Sequence, residues 1–294
     1  MSDKLALFLS EKEKIVSEEL VRTITELSIP KHLKDSMLYS IKAGGKRLRP
    51  LLMIASTESY HGTDQQVLSV AVALEMVHTY SLVHDDLPAM DDDDVRRGKP
   101  TNHRVFGDAT AILAGDALLT YSFELISNDN QLTDEQKVYI LKRLAEASGP
   151  KGMVAGQSLD MEAEDRAIHF DELETIHHLK TGQLLIFAIE IGAYIGGASN
   201  YQLEAIRDFA YYVGLVFQVQ DDILDVTGDP NTIGKPIGSD ETNLKSTYPK
   251  LLGLNGAIEK KEEYVIKAKN ALKTADVQSS LLEELIDYLS DRTI

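Results

Sequence analysis

Residues 78 to 104 read HTYSLVHDDLPAMDDDDVRRGKPTNHR, a stretch that joins an apolar helical pattern to a dense group of carboxylates. Aspartates occupy positions 85, 86 and 91–94. Like charges packed this closely repel one another, and exposure to water or a bound cation relieves the repulsion. A second acidic segment, FQVQDDILD, occupies residues 217 to 225. We predict that the two clusters face each other across one pocket and hold divalent metal ions.

The composition excludes several classes of protein. The 294 residues carry 30 Lys+Arg against 47 Asp+Glu, a net charge of −17. Nucleic acid is not expected as a partner, because phosphate backbones bind basic surfaces. The absence of cysteine rules out disulfides, thiolate metal sites and cysteine nucleophiles. This composition fits a reducing compartment, and we expect a cytoplasmic protein.

No segment is predicted to enter a membrane. The N-terminus, MSDKLALFLSEKEK, lacks the pattern of a signal peptide. The longest apolar stretch, Val67 to Val83, contains Glu75 and His78. A membrane span needs roughly 20 mostly apolar residues. We therefore interpret this stretch as a buried helix and expect no membrane span.

Apolar residues recur at three- and four-residue spacing through almost the whole chain, which predicts helices. Pro30, Gly44-Gly45 and Pro88 interrupt the pattern, and the Gly- and Pro-rich segment 227–240 predicts a loop. No strand-like alternation or linker is present. The chain is predicted to form one all-α domain covering residues 1–294. The predicted helices cover residues 4–27, 31–42, 51–58, 67–86, 109–126, 135–147, 152–163, 177–191, 202–226, 257–274 and 280–290.

The second acidic cluster has the clearer geometry. Gln218, Asp221, Asp222 and Asp225 are spaced i, i+3, i+4 and i+7, which places them on one face of a helix. Carboxylate oxygens suit Mg²⁺, which keeps several waters and is often completed by substrate phosphates. The alternative is a solvated acidic face, and the apolar residues around the motif argue against it.

The first acidic cluster cannot lie on one face of a straight helix. Asp85 and Asp86 end the apolar helix, and Pro88 disfavours its continuation. The break permits Asp91 to fold back toward Asp85. The aspartates at 92–94 are interpreted as a solvated acidic loop or as helix caps, and are weaker candidates for metal ligands than Asp85, Asp86 and Asp91.

Basic residues near glycines are candidate phosphate ligands. The segment GGKRLRP includes Gly45, Lys46 and Arg49, and the pair Arg96-Arg97 follows the first acidic cluster. Glycine permits close approach of the backbone, while lysine and arginine bind phosphate as a point charge and a fork. Surface basic clusters and simple charge pairing are the ordinary alternatives.

Three further positions carry weaker signals. Lys180-Thr181-Gly182 lies inside a predicted helix, where glycine predicts either a kink that exposes a carbonyl or close helix packing. Lys235 follows the second acidic cluster in the predicted loop. It is interpreted either as part of a lid over the site or as a solvated loop lysine. His78 lies on the helical stripe of Asp85, so a ligand role and a buried core role are equally supported.

Taken together, these motifs resemble the trans-isoprenyl diphosphate synthases over nearly the whole chain. Each motif alone is modest, whereas their order and spacing are specific. The segments that carry the resemblance are GGKRLRP (44–50), DDLPAMD (85–91), RRGKP (96–100), GDATAILAGDALL (107–119), GQSLD (156–160), KTG (180–182), FQVQDDILD (217–225) and GKPIGSD (234–240).

The resemblance implies an antiparallel all-α bundle around a central cavity, a homodimer, and small-molecule diphosphates as substrates. It implies about three Mg²⁺ ions, with Mn²⁺ as a substitute. The implied metal ligands are Asp85, Asp86, Asp91, Asp221, Asp222 and Asp225. The implied ligands of isopentenyl diphosphate are Gly45, Lys46, Arg49, His78 and Arg97, and those of the allylic diphosphate are Arg96, Lys180, Thr181, Gln218 and Lys235. Lys180, Thr181 and Gln218 are also the implied catalytic dipoles.

Within the family, the longer first motif and Tyr80, five residues before Asp85, resemble the bacterial farnesyl type. In this family the residues one turn before the first motif line the floor of the chain pocket. The resemblance therefore assigns product length to Tyr80 and Ser81. A geranyl or geranylgeranyl product is the nearest alternative; a terpene cyclase, a non-catalytic partner subunit and a metal-binding structural protein are further ones.

Overall fold

The computed structural model of the protein describes residues 1–164, 166–227, 246–277 and 279–292. Helices dominate this part of the chain, which confirms the all-α prediction. A minimal antiparallel ladder, Val95–Arg96 (β1) with Lys99–Pro100 (β2), lies in the segment predicted to be a loop. The α-helices are α1 (Asp3–Thr25), α2 (Lys31–Lys42), α3 (Leu48–Ser59), α4 (Asp64–Asp85), α5 (Asn102–Phe106), α6 (Asp108–Ser127), α7 (Asp134–Ser148), α8 (Met153–Ala163), α9 (Phe170–His177), α10 (Gln183–Gly196), α11 (Asn200–Thr227), α12 (Tyr248–Thr274) and α13 (Leu281–Asp291).

Two helices that are apolar on all sides occupy the centre of the molecule. α4 packs between α3 and α6, and α10 packs between α3 and α11. Their interior residues are almost all buried, as expected for helices without a polar face. α11 is amphipathic and packs along α12. The buried apolar side chains of the described residues form one main cluster, which supports the prediction of a single domain.

Local sequence determines where α4 begins and ends. Thr63 and Gln66 form a capping box at its N-terminus. Its last residue is Asp85, three positions before Pro88, as the proline predicts. The helix therefore delivers the first aspartate of the acidic cluster at its C-terminal end.

The helix predicted over residues 177–191 is interrupted. A π-helical turn, His178–Gly182, separates α9 from α10. Gly182 lies against Gly214 of α11, where an added Cβ on Gly214 would stand 3.1 Å from the Gly182 Cα. The close-packing interpretation of the glycine is therefore confirmed, and the exposed carbonyl stays a prediction. π-turns of this kind occur mostly at functional sites.

Three helical stretches, Asp64–Asp85, Asp108–Ser127 and Phe170–Gly196, are long and apolar enough to cross a membrane by length and composition alone. Within the fold, 67% of the most apolar 18-residue segment of the first stretch is buried, and 61% of that of the third. In the second stretch, α6, the buried share is 33%. The interpretation of Val67–Val83 as a buried helix is therefore confirmed. The absence of a membrane span stays a prediction.

Candidate active site

A cavity of about 560 Å³ lies between α4, α6, α8 and the π-turn. One part of its wall is charged or polar, with Arg49, Asp85 and Lys180 beside His78. The rest is mostly apolar, from α4 and the following loop, α6 and α8, and includes Leu87, Met90, Ile112, Met153, Val154 and Met161. Such a cavity fits an amphipathic ligand with an anionic head and an apolar tail.

The acidic clusters border two cavities that meet at the π-turn. Asp85 lines the large cavity, while Gln218 and Asp222 line a neighbouring cavity of about 160 Å³. Lys180 and Thr181 of the π-turn line both. The π-turn is therefore a shared wall of the two cavities, and the prediction that the clusters face each other across one pocket stays a prediction.

The turn after α4 brings Asp91 back to the end of the helix, as predicted. The Asp91 backbone N–H donates to the Asp85 carbonyl oxygen at 2.9 Å. Burial raises the pKa of the Asp85 carboxyl to about 6; the charges of Asp91 and Asp86 add to the rise, and Lys180 opposes it. A cation at this position would offset the cost of ionising Asp85.

Asp86 is already paired within the protein. It is 3% exposed and accepts a hydrogen bond of 2.6 Å from Nε of Arg96. Arg96 also lies 3.5 Å from Asp93. Burial raises the pKa of Asp86 despite this partner. The structure thus places Arg96, a predicted diphosphate ligand, on a carboxylate of the first cluster.

The carboxylates of the second cluster differ in their surroundings. Asp221 is hydrogen-bonded by the guanidinium of Arg292, which also donates to the Phe217 carbonyl at 3.0 Å. Asp222 is buried and accepts the Tyr248 N–H at 2.9 Å, at the start of α12. The predicted one-sided stripe is present on α11, but Asp222 stabilises the start of another helix.

Positive charge gathers around the turn that precedes α3, on side chains that range from exposed to partly buried. Burial lowers the pKa of Arg49 to about 10. Burial also lowers the pKa of Lys46 and Arg97, and neighbouring arginines contribute in the same direction. The pKa of His78 is well below its ordinary value, because of burial and of the nearby arginines, so the imidazole is neutral. An anion bound here would offset the desolvation cost of these cations and reduce their mutual repulsion.

Gly45 gives space to an arginine. A Cβ at this position would stand 2.6 Å from the Arg97 Cζ, and its φ of 130° disfavours other residues. The Arg97 guanidinium also donates to the Gly44 carbonyl. The space beside Gly45, which was predicted to admit a ligand, is thus filled by Arg97, itself one of the predicted diphosphate ligands.

Arg47 was not among the predicted site residues, yet it organises the basic turn. Its guanidinium donates to the Glu75 carboxylate at 2.9 Å and to the Ile41 carbonyl at 2.7 Å. Both side chains of the Arg47–Glu75 pair are 3% exposed. Arg47 also has a left-handed backbone, with φ 49°. The only sequence signal was its place in GGKRLRP and an isolated Glu75 in an apolar helix.

Lys180 is positioned by α8. Its Nζ lies 2.6 Å from the Asp160 carboxylate. An added Cβ on Gly156 would stand 2.5 Å from the Lys180 Cα, so the missing side chain lets α8 pack directly on the π-turn. Residues of the GQSLD motif therefore set the position of the KTG motif.

The remaining predicted residues divide into three groups. Tyr80 and Ser81 line the large cavity. Lys46, Asp91 and Asp225 lie outside the linings of the two cavities. Lys235 and its segment lie outside the described residues.

The oxygen donors suit a hard divalent cation, and the raised pKa of Asp85 shows a carboxylate whose ionisation needs positive charge nearby. Among the residues that the structure describes, no three acidic or histidine side chains converge as a metal-ligating group. Three of the six predicted ligands already accept hydrogen bonds within the protein. Asp86 accepts from Arg96, Asp221 from Arg292, and Asp222 from the Tyr248 amide. The residues fit the cation by donor type and charge.

The chain matches the family model described as polyprenyl synthetase over residues 30–289. The chain belongs to the polyprenyl synthetase family. It is 47% identical over 294 residues to the farnesyl diphosphate synthase of Bacillus subtilis (strain 168), covering 99% of each chain. It is 49% identical over 288 residues to that of Geobacillus stearothermophilus, covering 97% of each.

A solved polyprenyl synthetase relative agrees in fold. Geranylgeranyl pyrophosphate synthetase from Pyrococcus horikoshii Ot3 superposes with a TM-score of 0.88 at 31% identity, covering 98% of each chain. The resemblance to this family and the isoprenoid-synthase type of fold predicted from the motifs are both confirmed.

Proposed function

We propose that the protein is a farnesyl diphosphate synthase. It condenses isopentenyl diphosphate with dimethylallyl diphosphate and then with geranyl diphosphate. The observation that carries this proposal is the large cavity, charged at Asp85, Lys180 and Arg49 and mostly apolar elsewhere. This pattern matches a diphosphate joined to a growing hydrocarbon chain. The full-length identity to two farnesyl diphosphate synthases supports the same product class.

The two substrates would bind to different charged groups. Lys180 and Arg96 would hold the allylic diphosphate, together with Lys235. Lys46, Arg49 and Arg97 would hold isopentenyl diphosphate, with Gly45 leaving space and neutral His78 donating a hydrogen bond. The lowered pKa values of Lys46, Arg49 and Arg97 support an anion at the second site.

The metal ligands would be Asp85, Asp91 and Asp221, with Asp86, Asp222 and Asp225 as further ligands or as supports for them. Mg²⁺, or Mn²⁺ in its place, supplies positive charge to the departing pyrophosphate when bound. Lys180 and Arg96 add fixed positive charge on the same leaving group.

The reaction breaks the C1–O bond of the allylic diphosphate, and the allylic cation alkylates the double bond of isopentenyl diphosphate. The Lys180 carbonyl, Thr181 and Gln218 would present dipoles to that cation. The apolar wall around Met153, Met90 and Ile112 excludes water that would otherwise trap it. A proton then leaves the new chain to the released pyrophosphate, so no protein base is required.

The alternative products are geranyl and geranylgeranyl diphosphate. Tyr80 supports a fifteen-carbon product, because its ring is 7% exposed and lines the large cavity one turn before Asp85. Incubation with isopentenyl and dimethylallyl diphosphates, followed by chromatography of the dephosphorylated products, tests the proposal. Farnesol as the main product with Mg²⁺, and none with EDTA, is the expected result.

We also propose a cytoplasmic homodimer. The exposed apolar side chains Ile112 and Leu113 of α6 support a second copy on that helix, since α6 is the least buried of the three long apolar helices. An absence of cysteine supports the location.

A further inference from the structure

One helical turn after Tyr80, and directly before Asp85, His84 joins α4 to α6. The imidazole Nε2 of His84 lies 3.1 Å from the Ile112 carbonyl oxygen on α6. A carbonyl only accepts hydrogen bonds, so Nε2 carries the proton and donates it. The bond ties a side chain of the cavity wall to the backbone of the neighbouring helix.

The same imidazole supports the ring that is predicted to end the chain pocket. Tyr80 and His84 are four residues apart on α4, and a helical side chain leans over the turn that precedes it. Their rings meet edge to face, with centroids 5.6 Å apart and planes at 83°. His84, Tyr80 and Ile112 all line the large cavity.

Gly115 creates the space in which the imidazole lies. A Cβ built on Gly115 would stand 2.5 Å from the His84 Cδ2, which is far inside van der Waals contact. The α6 backbone at Gly115 is regular helix, so its conformation does not demand glycine. The absence of a side chain at this position is therefore a matter of room for His84.

We infer that His84 is a positioning residue for Tyr80, and that Gly115 sets where His84 lies and thereby how long a product the cavity admits. The inference rests on the proposed prenyl transfer and adds a supporting contact for Tyr80 in the cavity wall. A methyl group on residue 115 pushes the imidazole away from α6, toward Tyr80 and the cavity. Removal of the imidazole leaves the Tyr80 ring without its lateral support and opens the floor.

Product length in a set of variants tests this arrangement. In Gly115→Ala we expect the ratio of geranyl to farnesyl diphosphate to rise about tenfold, the discrimination that one misplaced methyl group typically produces in an apolar pocket. In His84→Ala we expect geranylgeranyl diphosphate to appear. The double variant should return to farnesyl or longer products, because the group that the new methyl displaces is gone.

Gly256→Ala is the matched control, since it adds the same methyl group to a helical glycine, in α12, against only the Leu252 side chain. Its products should equal those of the unmodified protein. Unchanged products in both Gly115→Ala and His84→Ala would overturn the inference. Equal products from Gly115→Ala and the double variant would do the same.

The readouts separate this inference from the proposed function. If the unmodified protein forms no prenyl diphosphate, the proposed function fails. If it forms farnesyl diphosphate and the variants do not change its length, only the inference fails. Should Gly115→Ala not fold by circular dichroism, the products of His84→Ala alone decide.

Discussion

At the scale of single residues, the two halves of the first acidic cluster have different surroundings. Asp85 is partly buried at the end of α4 and lines the cavity, with a pKa raised to about 6. Asp92 lies in the following turn with a left-handed backbone, φ 52°. Density of charge in the sequence therefore did not mark the functional part.

Asp85→Asn should lower kcat at least about 100-fold, because the carboxylate that would hold a metal ion against the leaving pyrophosphate is lost. Asp92→Asn, which tolerates the same backbone conformation, is the control and should leave kcat within about twofold. Steady-state assays with both diphosphates measure the effect, with circular dichroism as the check on folding. Normal turnover in Asp85→Asn would contradict the metal assignment.

Tyr80→Ala should lengthen the product. The phenol ring closes part of the cavity wall, and alanine removes nearly all of its volume. Chromatography of the dephosphorylated products should then show geranylgeraniol beside farnesol. Products of unchanged length would remove Tyr80 from the floor of the cavity.

The Arg47–Glu75 pair should control the affinity for isopentenyl diphosphate from within the core. Glu75→Gln leaves a buried guanidinium without its counter-charge, which typically costs about 3–5 kcal/mol of unfolding free energy. Because the pair anchors the turn that carries Lys46 and Arg49, KM for isopentenyl diphosphate should rise more than KM for geranyl diphosphate.

Arg47→Leu with Glu75→Leu separates the two effects. Two apolar residues avoid the unpaired buried charge, so unfolding by urea should return toward the original stability. KM for isopentenyl diphosphate should stay raised, because the turn has lost its anchor. An equal rise in both KM values would mean that the pair stabilises the fold only.

At the scale of helices, Glu190 joins three elements. Its carboxylate on α10 accepts hydrogen bonds from Tyr139 and Arg143 of α7 and from Arg207 of α11. Although burial opposes ionisation, these donors keep the pKa of Glu190 below its ordinary value of 4.5. The ionised carboxylate therefore helps to hold α7 and α11 against the central helix.

The contribution of Glu190 to stability should depend on pH. A carboxyl whose pKa is lower in the folded state stabilises the fold above its unfolded pKa, and the contribution is lost as pH falls through the folded value. Glu190→Gln should therefore be less stable at pH 7, and the difference from the unmodified protein should shrink below about pH 4.5. Urea unfolding at pH 7 and below about pH 4.5 measures the difference in unfolding free energy. Glu204→Gln, at an exposed position, is the control. A difference that does not vary with pH would rule out the ionised form as the stabilising one.

At the scale of the whole molecule, α6 carries an apolar surface that the described part of the chain does not cover. Leu113 is 58% exposed and Ile112 is 43% exposed. A second copy on this face would complete the burial of a helix that is apolar by composition. The same helix carries Gly115 and Ile112, so the proposed interface lies beside the cavity floor.

Leu113→Glu should give a monomer in sedimentation or light-scattering measurements, because a carboxylate at the centre of an apolar interface is desolvated without a partner. Val138→Glu, on the exposed face of α7, is the control and should leave the assembly unchanged. A dimer that persists in Leu113→Glu would exclude this face of α6.

The sequence by itself determined the helical class, the breaks at Pro88 and Gly44-Gly45, the family and some of the residues that line the large cavity. These features follow from local spacing and from residue chemistry, which survive in any arrangement of the helices. Only the tertiary structure showed that Asp86 pairs with Arg96, that Asp222 holds the start of α12, that Arg47 is buried on Glu75, and that Gly115 makes room for His84. Each of these contacts joins residues from different elements, and burial, not sequence spacing, decides which charged groups must find a partner inside the protein.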